Sequence, residues 1–423
     1  MFRKFGIVLM ILTAALLFFG CSERESNIVK PDPNIRNGFT GVYTHPGGHL
    51  ESDYLSFTMF TPVRKVPSIN LKVYVPPNYA ATGTKYPVLY LLSPFRGNDF
   101  YYINHGLVAI ADKMILEGTI KPMVIVCIDG SAGYGGVFYG DNWFSGKYAE
   151  AIGSITGNSF EGSIVDYIDG VYNTLDSTRA NRAISGFEMG GYGAMRIAAM
   201  FPDNFSSVSA ISAPLDFDGA GGTGGFVPLF KQVIRNASPL GNSFISMAQY
   251  RDLDTAYTNP LRTMVMAASC AFSPHLDFDN VVTLNPPTAL DTFFVQDTLT
   301  YLNPEGGIKF HLPFDTAGNI RQVVWNMWLD NNMSSIIEAN PGCFDDMAIK
   351  LFTTNDDEYG FNVQTYNFAS WLQGHLNMRG ISSDMTPDNY EGYEDYEAAR
   401  GRFLYDILPV ILKFHSDNFP DPD

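Results

Sequence analysis

The stretch Arg182-Ala-Ile-Ser-Gly-Phe-Glu-Met-Gly-Gly-Tyr-Gly-Ala194 constrains this chain more than any other segment. Gly186 and Gly190 stand two positions either side of Glu188. A strand that turns at once into a helix needs small residues flanking the turn, and the turn residue itself sits in strained backbone at the helix N-terminus. The pattern predicts a strand over 183–185, a helix over 192–200 and Glu188 lifted at the crest between them. Gly186 and Gly190 permit the turn, and the backbone N–H of Met189 is a candidate donor toward negative charge developing at that point. Ser185 precedes the first glycine, and on a strand its side chain points away from the crest.

The rest of the chain supplies the sheet that such a turn requires. Pro87–Leu92 and Met123–Ile128 are short, continuous apolar runs, as central parallel strands buried on both faces are. Leu71–Val75, Val208–Ser212 and Ala348–Thr353 read as further strands, with helical spacing over 103–117, 163–175 and 403–415. Strands alternating with helices predict an α/β fold: a mainly parallel, doubly wound sheet with helices on both faces. Residues 214–345 break the rhythm with Gly-rich and apolar pieces and read as an inserted cap within a single domain over 41–417.

The N-terminus carries a targeting pattern. Arg3 and Lys4 precede an apolar run from Phe5 to Phe19, then Gly20 and Cys21. That run is short of the roughly 20 apolar residues a spanning helix needs, and a basic start with a small residue before a cut describes a secretory signal. A cysteine directly after the small residue resembles a lipoprotein box. We therefore expect a signal over 1–20, a lipid on Cys21, a polar tether over 21–40, and a cell-envelope location facing the periplasm or the outside. The formal net charge of -17 repels phosphate backbones, which argues against nucleic acid as a partner. No Cys/His spacing suggests zinc, no EF-hand-like spacing suggests calcium, no cofactor is expected, and pairing of Cys270 with Cys343 is left open.

The residues above resemble the esterase D family of α/β-hydrolases, the group that also holds S-formylglutathione hydrolases, feruloyl and acetylxylan esterases and mycolyltransferases. Val73-Tyr-Val-Pro-Pro-Asn-Tyr79, Tyr86–Leu92 and Pro122–Val126 are similar to its opening strands, Arg182–Met200 to its nucleophile elbow, and Leu404–Phe414 to its closing helix. The resemblance implies an α/β-hydrolase fold and a ligand that is a carbohydrate or carbohydrate ester. It also places Asp357, in Asp357-Glu-Tyr359, where the family has its triad acid. Three positions depart from the family. Glu188 replaces the nucleophilic serine. Gly392-Tyr-Glu-Asp-Tyr396 puts Glu394 where the histidine belongs, and Ser93-Pro94 replaces the His-Gly that frames an oxyanion hole.

A serine esterase needs an activated hydroxyl, an imidazole and oxyanion donors. With acids in the first two places, three readings stand. Glu188 and Glu394, helped by Asp357, form a carboxylate pair for glycosidic-bond hydrolysis. Or the domain is a catalytically inactive homologue that binds a glycan or a protein partner. Or it retains metal-dependent or residual esterase chemistry through a nucleophile not recognised in the sequence. Around this centre, Asp141 and Trp143 belong to a loop expected to rim the cleft, and Tyr192 follows the elbow; all three are candidate substrate contacts. His415 and the other scattered histidines read as polar or satisfied groups rather than catalysts.

Overall fold

The computed structural model describes residues 49–55, 60–61, 64–65, 69–79, 84–142, 146–155, 162–175, 178–219, 225–236, 260–275, 292–295, 308–314, 319–353, 357, 359–375, 382–385 and 396–421. The leader, Cys21, the tether, Trp143 and Glu394 lie outside them. Among the described residues no helix is long and apolar enough to cross a membrane.

Eight strands form the central sheet: β1 (His49–Leu55), β2 (Ile69–Val75), β3 (Val88–Leu92), β4 (Val124–Ile128), β5 (Arg182–Phe187), β6 (Ser207–Ile211), β7 (Ala348–Thr353) and β8 (Ser382–Met385). Their spatial order is β1-β2-β4-β3-β5-β6-β7-β8. β1 pairs antiparallel with β2, and β2 antiparallel with β4; every later pairing is parallel. The continuous apolar runs are β3 and β4, each buried at all five positions, because helices cover both faces of this part of the sheet.

Residue alternation divides the core into two layers. Along β3, Val88, Tyr90 and Leu92 join one hydrophobic cluster while Leu89 and Leu91 join the other, as period two requires. The second layer is closed by α1 (Leu107–Leu116) and by the last helix, Tyr396–Asn418. The first holds α2 (Ile164–Val171), which opens on a capping box between Ser163 and Asp166, and α3 (Met189–Met200).

Between β6 and β7 the chain makes a long excursion. It carries α4 (Val227–Asn236), α5 (Pro260–Phe272), α6 (Gln322–Leu329), α7 (Met333–Ala339) and a small three-stranded sheet. Its aromatic residues do not form a separate core. Phe272 and Trp328 pack on Phe217, and Phe272 also meets Phe138 and Tyr192 beside the elbow. After β7 come α8 (Phe361–His375), β8 and the closing helix, α9 (Tyr396–Asn418).

Cys127, Cys270 and Cys343 are all buried, and the thiol of Cys343 is free, so the open question of a Cys270–Cys343 disulfide is answered: the two are not joined in this structure.

Candidate functional site: an elbow that presents a carboxylate

β5 runs to Phe187, and α3 begins at Met189, three residues earlier than the sequence pattern suggests. Only Glu188 lies between them, at φ 49° and ψ -114°. Positive φ in a residue with a Cβ is strained backbone, worth roughly 1–3 kcal/mol. Two backbone hydrogen bonds hold it: Glu188 N–H donates to Ile211 O at 2.7 Å, and Tyr192 N–H donates to Glu188 O at 2.9 Å. The flanking glycines are needed because backbone passes where a side chain would stand. A Cβ on Gly186 would lie 2.2 Å from the carbonyl carbon and oxygen of Gly190; a Cβ on Gly190 would lie 2.1 Å from Leu92 O. The Glu188 residue is only 2% exposed.

The oxyanion side of the turn is altered in backbone as well as in sequence. Pro94 has no N–H. Ser93 N–H donates to Ile128 O, Arg96 N–H to Gly135 O and Gly97 N–H to Pro94 O. The Ser93 hydroxyl accepts from Gly130 N–H at 2.9 Å and meets the Tyr139 hydroxyl at 3.0 Å. Met189 contributes the first N–H of α3, one of the four that a helix leaves without an intrahelical partner. Its side chain is buried, with Sδ 2.4 Å from where a Cβ on Gly136 would be.

The other candidates separate. Asp357 follows β7 at the same edge of the sheet as the elbow, and its Oδ1 accepts from the N–H groups of Tyr359 at 3.0 Å and Phe361 at 3.1 Å. That carboxylate ties down the start of α8, so Asp357→Ala is expected to lower stability by about 1–2 kcal/mol, read from the urea midpoint. An unchanged midpoint would show the bonds contribute nothing net.

Asp141 is half-buried and accepts from Glu150 N–H at 3.1 Å in the first turn of helix Tyr148–Gly153; burial raises its pKa above the ordinary carboxylate value. Tyr192 requires a correction. It is fully buried, its ring packs against Phe217, and its hydroxyl is spent on Asn331 O at 2.7 Å, so it serves the core. The helix that carries it turns that position inward against the excursion.

A serine beside an imidazole does exist, away from the crest. Ser207 Oγ lies 2.8 Å from His415 Nδ1, Ser209 Oγ lies 2.9 Å from His415 Nε2, and Ser185 Oγ lies 2.7 Å from Ser209 Oγ. These side chains sit under α9, in the layer opposite α3, and His415, Ser185, Ser207 and Ser209 are all at 0% exposure. The three hydroxyls and both ring nitrogens are spent on one another, away from the crest, so the cluster is structural. Sequence reading missed it because the serines are 208 and 206 positions away from His415. Among the described residues no group of three or more His, Cys, Asp or Glu is placed to hold a metal ion.

The strand order, the antiparallel β2 and a positive-φ crest between β5 and α3 define an α/β-hydrolase. Residues 67–252, less than half of the chain, match the Esterase family model, and that match supports an esterase D-like affinity for this part of the chain. Two strains of Mycobacterium tuberculosis carry similar proteins, Esterase MT1326 and Esterase Rv1288, each 32% identical over 149 residues. The aligned part is 35% of this chain and 29% of each relative, so the match spans less than a third of their length. Among solved structures, a ferulic acid esterase is 16% identical with a TM-score of 0.46, the alignment covering 88% of this chain and 100% of that one. An S-formylglutathione hydrolase from Agrobacterium tumefaciens is 15% identical with a TM-score of 0.44, covering 91% and 100%. Superpositions this loose add nothing to the strand order and the elbow, which define the fold by themselves.

Proposed function

We propose that this protein is an exported, lipid-anchored α/β-hydrolase that acts on carbohydrate through carboxylates instead of a Ser-His-Asp triad. Glu188 works as acid or nucleophile, Glu394 as its partner and Asp357 as support, in cleavage of a glycosidic bond. The single observation behind this reading is the backbone of Glu188. The chain keeps a long acidic side chain at a positive-φ position and buries it to 2% exposure. Strain and burial of an acid both cost stability, and a glycine would carry the turn more cheaply. Costs that the fold does not need are the mark of a working group. The carbohydrate class rests on the family resemblance, and the anchor rests on Cys21 and the segment before it.

The test compares wild type with Glu188→Gln on xylo-, cello- and manno-oligosaccharides, following new reducing ends. Product formation is expected to fall at least ~100-fold in the variant. Equal rates in the two proteins would remove the carboxylate mechanism.

A second reading, a non-catalytic glycan- or protein-binding homologue, draws on a different observation: the N–H groups of Ser93, Arg96 and Gly97 are all engaged beside Pro94. It predicts binding without product at any pH. A serine-esterase reading predicts labelling by a fluorophosphonate probe, which neither of the first two allows.

A further inference from the structure

One buried amide near the elbow has hydrogen-bonding capacity left over. Gln364, in the first turn of α8, is at 0% exposure. Its Oε1 accepts from Asp216 N–H at 3.3 Å, while its Nε2 has no hydrogen-bond partner. Leaving a buried donor unmade costs about 1–3 kcal/mol. Because Oε1 lies against the Asp216 backbone, the orphaned Nε2 of the same amide is held beside the Asp216 loop.

That loop leaves β6 directly after Ile211, the residue whose carbonyl holds Glu188 N–H. Ser212 turns it with φ 43°, and Thr365 Oγ1 donates to Ala213 O at 3.4 Å, which fixes α8 against it. Asp216 is half-buried. Its Oδ1 accepts from Gly219 N–H at 3.3 Å, and its carboxylate also bonds the Asn332 and Asn367 amides. Burial raises the Asp216 pKa, with these hydrogen bonds opposing the rise. Phe217 next to it packs on Tyr192, one turn beyond Glu188.

We propose that Gln364 and Asp216 form a subsite that recognises a hydroxyl group of a sugar ring held beside the elbow. A hydroxyl both accepts and donates. The Gln364 Nε2–H supplies the donor it needs and the partly accessible Asp216 carboxylate supplies the acceptor. The inference rests on the carbohydrate reading above, but not on which bond is cleaved.

The experiment is calorimetric titration of the mature chain with xylohexaose, cellohexaose and mannohexaose. Gln364→Glu keeps the oxygen that accepts from Asp216 N–H and removes the spare donor; Asp216→Asn keeps the size of the side chain and replaces one acceptor oxygen with a donor. Each variant is expected to weaken the best-bound hexasaccharide at least 10-fold while keeping the wild-type far-UV circular dichroism, with Gln364→Glu melting lower because it buries a carboxylate beside Asp216. Unchanged affinity in both variants overturns the subsite, whatever Glu188→Gln does to turnover. Wild type that binds none of the three overturns the glycan reading and the subsite with it. Should Glu188→Gln leave turnover intact while both subsite variants lose affinity, the mechanism fails and the subsite stands.

Discussion

Gly190→Ala should leave this protein unable to fold, or cost it more than about 3 kcal/mol. The added methyl would lie 2.1 Å from Leu92 O and 2.8 Å from both Leu92 C and Ser93 O. These are backbone atoms at the end of β3, a strand buried at every position and paired on both sides, so they have no rotamer to move into. Overpacking a core side chain typically costs 1–3 kcal/mol, and a clash with fixed backbone exceeds that range. The same substitution at Gly374, inside α8 with nothing within 4 Å of its would-be Cβ, serves as the control. There alanine is expected to be neutral or stabilising by up to about 1 kcal/mol. Urea midpoints and soluble yields of the two variants are the measurement. A Gly190→Ala protein with the wild-type midpoint would mean that the elbow is not built as described.

The close approach at Gly190 is also why the fold could be read from sequence. A strand that runs into a helix through one residue leaves glycines at fixed offsets. The parallel strands around it leave apolar runs, because both their faces are covered. β3, β4 and β7 therefore lie within a residue of where the pattern puts them. Edge strands leave no such mark. β1 reads His-Leu-Glu-Ser-Asp-Tyr-Leu and β8 reads Ser-Ser-Asp-Met, and each is a strand only because a neighbour offers it a free edge. The excursion was legible as an interruption with apolar helix-like pieces such as Val323–Leu329, close to α6, whereas its small sheet was not, and its apolar residues pack on the main core.

The site divides along the same line. Glu188, Gly186 and Gly190 are local in sequence, and their roles followed from spacing. Pairings that the tertiary fold creates were not legible: Gln364 with Asp216 across 148 positions, and the serines around His415. Tyr192 was misplaced for the same reason. A tyrosine one turn past a crest can face the cleft or the core, and only the excursion packed above it decides the matter.

His415 yields the largest expected effect of pH. Its imidazole is fully enclosed, with serine hydroxyls on both nitrogens, and burial pushes its pKa down to about 3 from the ordinary 6.5. The folded protein therefore holds this ring neutral, while the unfolded chain protonates it near 6.5. Stability from this group is complete above the unfolded pKa and is lost as pH falls toward 3, at up to about 1.4 kcal/mol per pH unit. The loss between pH 6 and pH 4 should then be on the order of 2–3 kcal/mol, added to whatever the carboxylates contribute. His415→Gln separates the two contributions. Its amide offers one donor and one acceptor to Ser207 and Ser209 but does not titrate. The variant should be less stable than wild type at pH 7, yet its urea midpoint should fall less steeply below pH 6, by about one proton's worth of slope. Parallel slopes for the two proteins would show that the ring is not held neutral in the core.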